Sequence, residues 1–260
     1  MMRWLIRCGM LLLALLGLLA SPAAAQDPQL VPDVSRNAID IQYSFSGEDL
    51  LLFGAILYPG GRLPDSRADI VVVLKGPSRP ITLREKQKIA GVWINAESAR
   101  FRSVPGYYAI ASSRPIDQLV DERTAAIYEL GLKNLQLSPA SGSDADQNSR
   151  FERGLIDLNK RHELFDERPN AVEISEGVLY RARLSIPARV PVGHYTAETF
   201  LISKGRVLAV ASRDIVIRKS GFERFVAEAA QRHGFLYGLA AILVSLAFGY
   251  AGALLFRKRT

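Results

Sequence analysis

Four groups of residues in this 260-residue chain have types and spacings that could do chemistry. Asp144, Asp146 and Asn148 have the D-x-D-x-N spacing that opens a calcium loop, in which alternate oxygens converge on one ion. The pattern then breaks, with Ser149 where the turn needs glycine and Leu155 where the bidentate glutamate belongs, so a polar loop leading to a helix cap explains these residues better. His162-Glu163 has the beginning of an H-E-x-x-H zinc helix, but Asp166 holds the second position, and His194 and His233 are not obvious co-ligands. His162 is expected to be a partly packed side chain near the apolar face of its helix. Trp93, with Tyr107 and Tyr108 and alongside Arg100, Arg102 and Arg114, would make an aromatic and arginine surface for an anion or a partner protein. The plainer reading makes Trp93 the core aromatic of a sandwich and the arginines solvated strand faces, and the pattern favours it. Finally, Ala241, Ser245, Gly249 and Ala253 recur every four residues, a small-xxx-small ladder that lets another helix approach closely. There is no G-x-S-x-G elbow, Walker A loop or G-x-G-x-x-G turn, and the serines have no identifiable base. The expectation is a non-enzymatic protein with no cofactor and no metal.

These residues are carried by elements that charge and hydropathy lay out. The formal charge of +7 ordinarily points to nucleic acid or an anionic surface. Residues 26–217, however, hold 24 basic and 24 acidic side chains. The excess is terminal: Arg3 and Arg7, then residues 218–234, then Arg257, Lys258 and Arg259. Basic flanks of this kind read membrane orientation and argue against a nucleic-acid-binding domain. Arg3 and Arg7, the apolar residues 10–20 and Ala23-Ala24-Ala25 have the three parts of a cleavable signal peptide, residues 1–25. An uncleaved first span is disfavoured because the apolar core is short and ends at Ser21-Pro22. Cys8, the only cysteine, lies in this leader, so the mature chain is expected to have no disulfide and no thiolate chemistry.

Residues 234–256 carry no charge and, as a helix, reach about 34 Å, enough to cross a hydrocarbon core of about 30 Å. With the leader removed and the basic tail 257–260 inside, residues 26–217 are expected in the periplasm of a Gram-negative cell, beneath a single inner-membrane span. The tail of four residues would leave no room for a cytoplasmic output domain.

The exported part reads as mainly β. Residues 39–45 alternate apolar and polar; residues 50–57 are apolar at almost every position, as in a strand covered on both faces, with Gly54 marking a bulge. Residues 69–75 form a β-branched strand whose hairpin partner is expected at 81–88, a charged edge strand. Short strands follow at 92–94 and 107–112. Residues 115–169 are expected to be a helical insertion, with one helix at 121–132 and another capped by Ser149-x-x-Glu152, using Phe151, Leu155, Leu158 and Phe165. Strands return at 178–186, 194–202 and 206–217, the last two joined by a tight turn at Ser203-Lys204-Gly205. About eight short strands suggest an antiparallel, immunoglobulin-like sandwich without the usual disulfide. Residues 218–233 read as a juxtamembrane amphipathic helix.

The segments LLLFGAIL (50–57), DIVVVLKGP (69–77), AGVWIN (90–95), VPGYYAIASSRP (104–115) and VPVGHYTAETFL (190–201), with GFERF before the span, resemble the alphaproteobacterial putative transmembrane protein family. The resemblance covers nearly the whole mature chain. It implies an exported single-span protein and an association with sulfite or anion exporters, and it carries over no catalytic residues. Two functions follow as expectations: an accessory or scaffold subunit that meets a membrane partner, or a second copy, through its domain and span, and, as the alternative, a periplasmic ligand-binding or sensing module. The lipid bilayer is the one partner common to both.

Overall fold

In this computed structural model the residues described are 28–41, 47–64, 66–139, 145–219, 226 and 230–257. The leader and most of the juxtamembrane segment lie outside them. The period-two stretches form twelve strands among the described residues: β1 Gln29–Val34, β2 Ala38–Ile41, β3 Glu48–Leu57, β4 Asp69–Lys75, β5 Ser78–Ile89 and β6 Val92–Pro105, then β7 Tyr108–Ser112, β8 Phe165–Arg168, β9 Val172–Ser175, β10 Leu179–Ile186, β11 Gly193–Ser203 and β12 Arg206–Lys219. The protein is mainly β, as its alternation predicts. One sheet has the order β1-β3-β10-β9, a second β2-β12-β11-β4-β7-β8, and β5 and β6 pair only with each other. Pairing is antiparallel except for β2 on β12 and β8 on β7.

The first two sheets share one apolar core. Leu50, Leu52 and Ile56 of β3 and Tyr180, Ala182, Leu184 and Ile186 of β10 are buried, and the Tyr107 hydroxyl crosses to donate to the Ser185 carbonyl at 2.5 Å. β4 lies between β11 and β7 and is buried on both faces. β3 differs from its expectation: Phe53 and Leu57 are exposed, because they lie on the outer face of the four-stranded sheet, away from the core, and among the described residues none covers that face. Nor is Gly54 a bulge, since β3 runs in continuous register with both neighbours. A Cβ at Gly54 would sit 2.4 Å from the Val31 carbonyl oxygen and 2.6 Å from the Tyr180 hydroxyl; glycine is there to let backbone and ring close in. Gly54→Ala is therefore expected to lower the urea midpoint by the equivalent of about 1–3 kcal/mol.

The insertion between β7 and β8 holds α1 Ile116–Leu119, α2 Glu122–Ile127 and α3 Ala145–Arg161. The single helix expected at 121–132 stops early: Asp121 caps α2 by accepting from the Thr124 amide at 2.9 Å, while Glu129 and Gly131 take positive φ of 52° and 94°, which a right-handed helix cannot continue through. α3 begins four residues before Ser149, so Ser149-x-x-Glu152 lies inside the helix rather than capping it. Its buried line is Phe151, Leu155 and Asn159; Leu158 is exposed and Phe165 belongs to β8. The stripe is narrower than the apolar spacing suggests because Asn159, its side-chain amide donating to the Leu155 carbonyl at 3.0 Å, fills the place of a third apolar residue.

The hairpin expected between 69–75 and 81–88 does not form. Both edges of β4 are already occupied, so β5 turns away at Pro77 and pairs with β6, far longer than the three residues expected at 92–94. Two bonds close the base of this ribbon, from the Gly76 amide to the Tyr107 carbonyl and from the Gly106 amide to the Pro77 carbonyl. Its tip is a two-residue turn, Ala90 and Gly91 at φ 48° and 84°, the geometry of a type I′ hairpin.

The span is a helix, α4 Gly234–Arg257. Residues 234–253 are long and apolar enough to cross a membrane and are wholly unburied by the rest of the chain.

Candidate functional site

On α4 the ladder Ala241, Ser245, Gly249 and Ala253 lies entirely on exposed helix surface. Four-residue steps turn by about 400°, so the ladder drifts slowly round the helix as an i±4 ridge, inclined to the axis. The Ser245 hydroxyl donates to the Ala241 carbonyl at 2.8 Å, so it presents no unsatisfied donor to lipid. At Gly249 nothing lies within 4 Å of an added Cβ. A larger side chain there is free in the lone chain and would be felt only by a neighbouring helix.

The aromatic and arginine residues fall in different places. Trp93 is not the core aromatic of the sandwich: it lies beside the ribbon turn, 64% exposed. Alternation predicts which residues share a face, and it cannot say whether anything covers that face. Arg100 pairs with Thr82 seven residues further along β6, roughly 24 Å away. Arg102 lies at a register shift of the ribbon, its amide donating to the Ser138 carbonyl at 2.8 Å. Arg114 belongs to the sandwich. Its guanidinium grips Asp69 at 2.5 and 3.0 Å, and the Ser113 hydroxyl adds a bond to the same carboxylate at 2.8 Å. Burial alone would raise the Asp69 carboxyl, but the bonds from Arg114 and Ser113 outweigh it and hold the group below the usual carboxylate range. Tyr107 and Tyr108 are core residues whose phenols are pushed up chiefly by burial. Tyr108 donates to the Glu129 carbonyl at 2.7 Å and accepts from the Gly131 amide at 3.1 Å, tying the insertion to the sheet.

The metal-like motifs come apart. Asp146 and Asn148 sit in α3, where residues two apart point about 200° from each other and cannot converge on one ion; Asp144 lies outside the described residues. His162 is exposed beyond the end of α3 rather than partly packed, because Glu163 at φ 61° turns the chain into β8. Asp166 pairs with Arg168. Among the described residues no group of three or more His, Cys, Asp or Glu could hold a metal ion.

Two features escaped the sequence reading. A hollow of about 560 Å³ opens between α1, α2 and the turn at Leu132–Asn134, its charged lining made of Asp117, Asp121, Glu122 and Glu167 with one cation, Lys133. The second is the ribbon, whose apolar tip was present in the letters Ile89, Val92, Trp93 and Ile94, and whose length depends on cross-strand register.

A β-rich domain joined to one lipid-length helix defines a membrane-anchored protein. The chain belongs to the family described as putative transmembrane protein (Alph_Pro_TM), whose model matches residues 29–258. No curated protein matches it.

Proposed function

We propose that this is a non-enzymatic, single-pass accessory subunit of the inner membrane, its immunoglobulin-like domain in the periplasm and its span docked on a membrane partner such as an anion or sulfite exporter. The exposed small-residue ladder of α4 carries the reading: it is shaped for close helix approach and is left bare by its own chain. The strand order β1-β3-β10-β9 against β12-β11-β4 supports the immunoglobulin-like assignment, being that of strands A-B-E-D against G-F-C. So does Tyr195, at the start of β11, whose hydroxyl donates back to the Pro191 carbonyl at 2.6 Å as in a tyrosine corner. The leader and the basic tail support the orientation.

Affinity purification from mildly solubilised membranes tests the reading. A stoichiometric transporter is expected with the wild-type chain, and Gly249→Leu is expected to reduce its recovery at least several-fold without lowering the amount of the subunit itself. Equal recovery with Gly249→Leu would remove the span from the interaction. The alternative, a ligand-binding module, draws on this mainly acid-lined hollow; purification of the chain alone, with a small molecule bound in its domain, would favour it.

A further inference from the structure

The β5–β6 ribbon is about 40 Å long and divides its residues cleanly by face. Directly paired residues share a face, and the pairs Thr82/Arg100, Arg84/Ser98, Lys86/Asn95 and Lys88/Trp93 place four basic side chains and Trp93 in a row along one face, with no carboxylate between them and with Lys86 and Lys88 nearest the tip. All four basic residues are exposed, and among the described residues no ion pair is formed by any of them. The opposite face is braced midway by α3, where Arg150 pairs with Glu85 and Glu97. Beyond that brace the tip presents Ile89, Val92, Trp93 and Ile94, which are 50%, 63%, 64% and 44% exposed.

We infer that this tip docks end-on into the headgroup layer of a bilayer containing anionic lipid, with the aliphatic residues and Trp93 at the acyl boundary and Lys86 and Lys88, the basic residues nearest the turn, on lipid phosphates. The charge pattern complements an anionic surface, and an indole flanked by lysines is the side-chain set that settles at membrane interfaces. The tip is a convex two-residue turn, far smaller than the roughly 800 Å² per partner of a stable protein interface, whereas lipid needs no matching shape. The outer edges of a two-stranded ribbon carry unpaired backbone groups, which confines it to headgroup depth. The chain's own span supplies the proximity: the roughly 14 residues between Lys219 and Gly234 extend at most about 50 Å.

The full chain carrying Trp4→Phe, which leaves Trp93 as its one tryptophan, is reconstituted into vesicles of phosphatidylcholine with or without phosphatidylglycerol. In the mixed vesicles Trp93 emission is expected to shift to the blue, to be quenched by lipids brominated on their acyl chains, and to become several-fold less accessible to acrylamide. Lys86→Glu with Lys88→Glu, both on the exposed face and so expected to fold normally, should weaken docking roughly thirtyfold or more, at about a factor of five per basic group removed. Acrylamide access unchanged from detergent solution, or docking unaffected by the double charge reversal, would overturn the inference. So would shielding of Trp93 that appears only when a membrane protein is reconstituted with it, which would assign the tip to a protein partner.

Discussion

Leu243→Arg with Leu246→Arg, near the middle of α4, is expected to move most of the protein out of the membrane fraction. About eleven Leu, Ile, Val and Phe residues between Gly234 and Arg257 contribute roughly −0.3 to −0.6 kcal/mol each on an insertion scale, about −5 kcal/mol together. The alanines, glycines and serine of the ladder add little. Two central arginines cost about 5–7 kcal/mol and remove two leucines, which turns the balance unfavourable. Carbonate extraction and flotation measure the outcome. Full membrane retention of the double variant would show that something other than this helix holds the chain to lipid. Leu246→Ala, with the helix still apolar, should be retained.

Arg114→Ala should cost the domain about 2–3 kcal/mol. Removing one partner of a buried pair typically costs about 3–5 kcal/mol because a charge is left in a dry site. Here Asp69 is 4% exposed and Arg114 36% exposed, so water reaching the guanidinium side relieves part of that loss. Lysine should not rescue the variant, because one ammonium cannot reproduce the forked grip on both oxygens. The pH dependence follows from the lowered Asp69 carboxyl. Its stabilisation is complete above the unfolded value, near pH 4, and is lost as pH falls through the lower folded value. The difference between wild type and Arg114→Ala, read by urea melts, should therefore be largest at neutral pH and shrink below about pH 4. Arg100→Ala, on the exposed ribbon face, should change stability by no more than about 0.5 kcal/mol. A loss as large at Arg100 as at Arg114 would contradict this division of the arginines.

Much of the architecture could be read from local chemistry. β4, β10 and the β11–β12 hairpin announce themselves by β-branched runs, strict alternation and the Lys204-Gly205 turn, whose φ values of 49° and 77° are the type I′ pair. The apolar span needs no context at all. β1 is absent from the expected strands; Pro32 within it argues against a strand, although an edge strand with one unpaired side tolerates proline. β8 and β9 have four residues each, too few for a period to stand out. The ribbon was misread for a different reason: residues 81–88 look like any charged edge strand, and only the occupancy of both sides of β4 by distant segments sends them elsewhere. Of the candidate site, the ladder spacing on α4 was visible directly. The separation of Arg114 from Trp93 was not, because it depends on Asp69, 45 positions earlier in the chain.

The strand that leads to the anchor also has a mechanical character. β12 lies between β11, with eleven paired positions, and β2, with four, and Arg218 forms an ion pair with Asp40 at the third of these four. Ladder hydrogen bonds run across the strand axis, so a pull that enters at Lys219 along that axis strains the bonds of both ladders simultaneously, in shear, instead of peeling them one after another. The early segment β2 thus lies as a clasp along the strand that leads to the span. Stretched between membrane and partner by a single-molecule force probe, the domain should yield at a higher force when pulled through Lys219 than when pulled apart across the tip of the β11–β12 hairpin.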